Sequence, residues 1–244
     1  MKSEVEPTVS LISYTPNPER VVAAAARACW SNRSVQELYA TLSDYDVSRV
    51  LRKVIVRGHT SVLEHAQFTS ALSGVSRVLT HQLVRHRMAS YSQVSQQRIS
   101  QADSAYSIPP AFRDDAVLRR KYEQWMDDAR ELYAFLLQHG VPKGSARYVL
   151  PAAWETRIVV TMNARSLFNL IAQRACGAED WEFRIVATRM QQELLSVAPR
   201  IFQFAGPPCK TTHQCPETGA SDACGRARAF AAGMQLREFE LHRI

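Results

Sequence analysis

The sequence predicts an α+β fold, and three observations lead there. Helical and strand-like patterns mix along the 244 residues without the regular βαβ rhythm that builds a parallel sheet. The nine glycines form neither a GxGxxG fingerprint nor a P-loop, so Rossmann and P-loop nucleotide binding are not expected. One pattern, Ala116 to Gln138, reads as a long amphipathic helix closed by Gly140.

The other elements follow in order. Thr8 to Thr15 is rich in β-branched and aromatic residues and reads as a strand ended by Pro16. Pro18 at a helix start and the run Val21 to Trp30 give a first helix, which Asn32-Arg33-Ser34 breaks. Val35 to Arg57 forms one or two helices that stop at Gly58. His65 to Leu72 returns to strand alternation, and Gly74 divides it from a helix bearing Gln82. Tyr91 to Ile99 is extended, and Lys143 to Leu150 is a short helix stopped by Pro151. Thr156 to Met162 is a β-branched strand, and Asn163 caps the helix that follows through Arg174. Asp180 to Val197 is another amphipathic helix. From Gly206 the chain is rich in Pro, Gly and Cys and ends in a helical pattern from Arg226 to His242. The expected organisation is one domain over 1–205 and a Cys-containing extension with a terminal helix over 206–244.

With 46% hydrophobic and 22% charged residues the composition is that of a globular protein. The polar N-terminus carries no export signal, and no apolar run approaches the ~20 residues of a membrane span. Five cysteines, an odd number, fit reduced thiols in the cytoplasm. The net charge is +7, with 25 arginines against 5 lysines. Arginine's planar fork suits phosphate and carboxylate recognition, although an Arg- and Ala-rich base composition explains the bias equally well.

The chemistry concentrates in Arg85-His86-Arg87 and the hydroxyl- and amide-rich stretch behind it, up to Arg98. The apolar-periodic Val75 to Val84 predicts a half-buried helix whose basic end enters a site, with Gln82, Arg85 and His86 sharing a face at i, i+3 and i+4. Adjacent arginines are costly to desolvate without an anionic partner, so an anion-binding centre is expected. A second cluster runs from Asn163 to Arg174. Asn163, Leu167, Leu170 and Arg174 follow one stripe, apolar in the middle and polar at both ends, while Arg165 and Asn169 lie on a neighbouring polar stripe. Gly58 to His65 holds two histidines and a glutamate, but not at His-Glu-x-x-His spacing, so polar contacts or a hydrogen-bonded turn are favoured over a metal. Cys29 and Cys176 look like small core residues.

Together these segments resemble the flavin-dependent thymidylate synthases. The signature of that family is Arg-His-Arg, seven residues, then Ser, and here Arg85-His86-Arg87 is followed by Ser95 at that spacing. Gly58-His59-Thr60-Ser61 with Glu64-His65, Ser76-Arg77, and Leu150-Pro151 with Asn163-Ala164-Arg165-Ser166-Leu167 extend the likeness from about Val9 to about Phe202. The resemblance implies a mixed or antiparallel sheet flanked by long helices in one domain. It implies an FAD-bearing cytoplasmic homotetramer with active sites at subunit interfaces. Its reaction would be methylation of dUMP to dTMP, with methylenetetrahydrofolate as carbon donor and NADPH as reductant. Ser61, Arg85, His86, Arg87, Gln93, Asn163, Arg165 and Asn169 would contact FAD. Gln82, Arg85, Gln93, Ser95, Gln96, Gln97, Arg98, Arg147 and Arg174 would surround dUMP, with Arg174 as the catalytic group that stabilises charge at uracil N3/O4. No metal is implied, and Ser95, with no adjacent base, is a binding group rather than a nucleophile.

Two departures from the family pattern stand out. An arginine is expected two residues after the signature serine, whereas Ser95-Gln96-Gln97-Arg98 places it three after. Gln93 stands where many members carry Glu. In the tail, Cys209, His213, Cys215 and Cys224 could supply three sulfurs and an imidazole to zinc, but their irregular spacing favours free or loosely paired thiols. Two rival functions stay open on sequence: an Arg-rich nucleic-acid-binding protein, and another folate/FAD-dependent uridine methyltransferase.

Overall fold

A computed structural model describes residues 4–215 and Cys224. The expected terminal helix over 226–242, and most of the extension, lie outside the described residues. The strands are β1 (Thr8–Tyr14), β2 (Gln67–Ser76), β3 (Ala89–Gln93) and β4 (Glu155–Asn163), in the order β1-β2-β4-β3. The backbone bonds Thr15 to Gln67, Ala164 to Ala66 and Arg77 to Trp154 fix β1 and β4 as antiparallel neighbours of β2.

The helices are α1 (Pro18–Ala28), α2 (Val35–Thr41), α3 (Asp44–Val56), α4 (Arg77–Leu83), α5 (Pro110–Arg113), α6 (Ala116–Gln138), α7 (Lys143–Ala146), α8 (Ala164–Arg174), α9 (Trp181–Val197), α10 (Pro199–Phe202) and α11 (Pro208–Thr211). Two 3-10 turns, Thr60–His65 and Arg147–Val149, complete the set. No helix among the described residues is long and apolar enough to cross a membrane.

Local chemistry explains most boundaries. Ser34, Ser43, Ser76, Asp115, Asn163 and Asp180 each accept a backbone N–H of the first turn of the helix they precede. Gly58 and Gly140 take left-handed φ of 74° and 79° just past α3 and α6, conformations that L side chains avoid.

Gly74 corrects an expectation. It does not end the second strand: β2 continues through it to Ser76. It sits at φ 65°, and a Cβ there would collide with the carbonyl oxygen of Glu6. The glycine therefore marks a close backbone approach inside a strand.

The chain divides into two compact units: Met1–Ile12 with Ser70–Thr161, and Ser13–Thr69 with residues from Met162 on. The first packs around Tyr106, Ile108, Met126 and Trp154, all fully buried. Trp154 donates its indole N–H to the Gln101 carbonyl at 3.2 Å, and the Arg130 guanidinium lies 4.9 Å from the Trp154 ring. The second buries Val22, Leu51, Leu63, Leu170 and Phe183. In it, Phe68 meets Phe202 edge-on at 5.2 Å.

Candidate active site

The first unit carries the Arg-His-Arg segment. α4 ends at Leu83, one turn earlier than the periodicity implies, so Arg85 and His86 are not on its face. They lie in a tight turn closed by Arg85 N–H to the Gln82 carbonyl and His86 N–H to the Leu83 carbonyl. The cause is Tyr91 on β3. Its hydroxyl reaches the carbonyls of both Leu83 and His86 at 2.8 Å, caps the end of α4 and folds the chain back into the strand. Burial pushes the Tyr91 phenol up to about 12.

Arg85, Arg87 and Gln82 are exposed and His86 is half-buried, so the expected half-buried entry of the basic end is corrected. The stripe behind it is corrected too: Val75 belongs to β2, and Val78 is 48% exposed.

Beyond β3 the expected extended run becomes a turn. The Ser95 carbonyl accepts from both Arg98 N–H, at 3.1 Å, and Ile99 N–H, at 3.0 Å, which takes up the additional residue between Ser95 and Arg98. This turn rests on α7: Lys143 Nζ donates to the Arg98 carbonyl at 3.2 Å, and a side chain at Gly144 would meet Gln97. Arg147 follows α7, with its Nε donating to the Gly144 carbonyl at 3.1 Å. Ser95, Gln96, Gln97 and Arg98 thus share one turn, at the end of the short helix that leads to Arg147.

Arg77, named in sequence only as part of the Ser76-Arg77 motif, was given no contact role there. Its Nη2 donates to the Val94 carbonyl at 2.9 Å, while its Nε is buried without a hydrogen-bond partner. Burial first, then the positive charge of Arg147, holds the Arg77 guanidinium below its ordinary value. A buried guanidinium with an unsatisfied donor and a second positive charge acting on it suits an anion. Gln93 lies alongside, its amide donating to Thr80 Oγ1 at 3.0 Å and Thr156 Oγ1 at 3.3 Å. Since Thr80 in turn donates to the Arg77 carbonyl, the position needs a donor. An amide supplies one where a carboxylate would not.

The second unit carries the Asn163 cluster. Asn163 is spent on capping α8, its Oδ1 accepting from Ser166 N–H at 2.8 Å. Leu167 and Leu170 are buried, and Arg165 and Asn169 are exposed one turn apart, as the two-stripe pattern predicts. Arg165 donates to Glu64 Oε1 at 2.6 Å, and Asn169 accepts from Gln173 at 3.2 Å. Ser61 lies exposed in the 3-10 turn that also carries Glu64. Arg174, at the end of α8, donates to Glu179 Oε2 at 2.6 Å and lies 4.8 Å from the Phe183 ring centroid. That pair is 18% and 19% exposed, against 53% and 45% for Arg165 and Glu64. Glu179 was missed by sequence reasoning, although its place five residues past a candidate arginine was a usable signal.

Two surface hollows, of about 620 Å³ beside α1 and α2 and about 480 Å³ along α3, are lined by none of the expected contact residues. Among the described residues no three His, Cys, Asp or Glu stand in an arrangement that holds a metal ion. Cys29 and Cys176 are not the core residues expected: Cys29 is exposed and Cys176 half-buried.

Comparison with known proteins bears on all of this. Residues 10–200 match the family model for thymidylate synthase complementing protein. The chain is 43% identical to the flavin-dependent thymidylate synthase of Geobacter sulfurreducens, over 90% of this chain and 94% of that protein. It is 42% identical to the one from Clostridium tetani, over 90% and 93%. In structure it is similar to a UMP/dUMP methylase, PolB, from Streptomyces cacaoi, solved with 5-Br dUMP. The TM-score there is 0.73 at 21% identity, covering 83% of this chain and 96% of that one. At that identity the likeness shows a shared fold.

Proposed function

This chain belongs to the flavin-dependent thymidylate synthase family, and on that premise we propose that it methylates C5 of dUMP to dTMP. The observation that carries the reading is the Arg77–Arg147 pair: two mutually repelling guanidiniums and an unsatisfied buried donor beside the Ser95–Arg98 turn. A nucleotide phosphate supplies the missing charge and acceptors. Ser95, Gln96, Gln97, Arg98 and Arg147 hold that phosphate, while Gln82, Arg85 and Gln93 line the nucleotide.

The flavin is FAD. The donor set fits it: Arg85 and Arg87 are exposed cations suited to a pyrophosphate, while Ser61, His86, Gln93, Asn163, Arg165 and Asn169 offer polar groups for the rest of the cofactor. When bound, the flavin supplies the hydride chemistry, with NADPH as reductant and methylenetetrahydrofolate as carbon donor.

The chain's own part is charge and orientation. Arg174 stabilises negative charge developing at uracil N3/O4, which raises the nucleophilicity of C5. Glu179 and Phe183 hold its guanidinium in one place, so little reorganisation accompanies the reaction. Ser95 binds and does not attack, since no base adjoins it. We place these sites at the interfaces of a cytoplasmic homotetramer.

The test is tritium release from C5-tritiated dUMP by the purified yellow protein. Release that depends on both NADPH and methylenetetrahydrofolate, with FAD freed on denaturation, is expected. Colourless protein with strongly salt-dependent polynucleotide binding, or methyl transfer to RNA and none to dUMP, would overturn the reading.

A further inference from the structure

The hollow along α3 is used by none of the residues assigned so far. α3 buries Val47, Val50 and Leu51. Its opposite face carries Tyr45, Arg49, Arg52 and Val56 on one stripe, a turn apart, with Lys53 and Arg57 beside them. These side chains line an open hollow of about 480 Å³. Arg49 donates to Asp46 Oδ1 at 3.1 Å and lies 5.9 Å from the Tyr45 ring centroid. Arg52, Lys53 and Arg57 are exposed and pair with no carboxylate among the described residues. Other exposed arginines of the same unit are paired, Arg33 with Glu37 at 2.8 Å and Arg165 with Glu64 at 2.6 Å. A helix's own partial negative charge favours cations at its C-terminal end, which accounts for Lys53 and Arg57. It does not account for an unpaired Arg52 bracketed by two large exposed apolar groups, Tyr45 at 74% and Val56 at 69% exposure.

This face leads straight into the proposed flavin contacts. His59 N–H returns to the Val54 carbonyl at 2.8 Å, so the chain turns directly off the end of α3. The 3-10 turn Thr60–His65 follows, carrying Ser61 and Glu64, and α8 with Arg165 packs on it. α3, the turn and α8 all belong to the second unit.

We infer that this face of α3 binds the γ-linked glutamate tail of the folate co-substrate, an inference that rests on the proposed reaction. Each γ-glutamyl unit carries one free carboxylate and a short methylene stem. A chain of them matches cations bracketed by apolar surface, the carboxylates meeting guanidinium and ammonium groups while the stems lie on Tyr45 and Val56. From Arg49 to Arg57 a helix rises about 12 Å, which leaves room for more than one carboxylate. The reacting end of the donor has to lie at the flavin, so its tail runs out along the adjoining surface.

The experiment compares mono- and pentaglutamyl methylenetetrahydrofolate as donors for the full chain, purified with its flavin. The longer tail should lower KM for the donor roughly 10-fold at low salt with little change in kcat, because several exposed ion pairs each contribute modestly. In the double variant Arg52→Ala/Lys53→Ala that advantage should shrink to about 3-fold or less, while Arg33→Ala keeps it in full. Calorimetry with the two tail lengths and no NADPH reads the same contrast in binding alone. Should the double variant fail to fold, the wild type decides, since the advantage must fade as salt rises. Equal KM for the two donors in the wild type would overturn the inference and leave the proposed reaction standing. So would an advantage untouched by salt or by the double variant, or a raised KM for NADPH in place of the folate. No dTMP from either donor would overturn the reaction itself, and the inference with it.

Discussion

The candidate-site arginines of the two units are held in opposite ways. In the second, Arg165 and Arg174 each face a carboxylate at 2.6 Å. In the first, Arg85, Arg87 and Arg98 are exposed and pair with no carboxylate among the described residues, while Arg77 and Arg147 repel each other. A paired guanidinium is oriented and neutralised, suited to act on charge that appears only transiently. Mutually repelling guanidiniums lower their energy by capturing a standing anion. On the proposed function, the difference would separate a group that stabilises a transition state from groups that bind a phosphate.

The largest expected effect tests the first half of that contrast. Arg174→Ala should lower kcat for dTMP formation by about 100- to 1000-fold with little change in the dissociation constant for dUMP. A variant as active as wild type, in vitro or in complementing a thymidine-requiring strain, would remove Arg174 from the chemistry. Arg147→Ala should do the reverse, raising the dissociation constant for dUMP by roughly 10- to 100-fold through loss of about 1.5–3 kcal/mol of charged hydrogen bonding. Binding should also weaken with added salt, since the exposed Arg98 charge is screened. An unchanged affinity would mean that the Arg77–Arg147 pair does not face the phosphate.

Tyr91→Phe probes the clamp rather than the charges, and should cost about 1 kcal/mol, seen as a lower Tm. Its pH signature has a definite sign. The folded phenol, at about 12, lies above the ordinary 10.0, so its contribution is complete below pH 10 and drains away as pH rises from 10 towards 12. Wild type should lose stability across that window and Tyr91→Phe should lose less, as followed by alkaline unfolding. The smallest effect belongs to Glu64→Gln. Its pair with Arg165 is half-exposed, so stability should change by about 1 kcal/mol or less. A large loss of flavin in that variant would show that this surface pair orients the cofactor after all.

Much of the fold was legible because its signals are local. The cap at Asn163, the left-handed glycines after α3 and α6, and the bounds of α6 depend on residues within a turn or two of one another. The candidate residues could be listed for a similar reason, since Arg85-His86-Arg87 and Ser95 are a spacing. Their setting was not. α4 stops at Leu83 because Tyr91 returns from the next strand to take the Leu83 carbonyl, and nothing in the helix's own periodicity announces that. Gln93 reads as a missing charge in the chain, yet in space it is the donor that Thr80 and Thr156 require.

What the amino-acid order settled alone was the class of fold, the identity of the cationic groups and the family they belong to, because those rest on short-range periodicity and fixed intervals. Tertiary structure decided which arginines meet a carboxylate, which are left to repel, and that Cys224 lies against Gly177. Such pairings depend on how loops of unrelated sequence return to one another, and a hydrogen bond or a packing contact is felt only over a few ångströms.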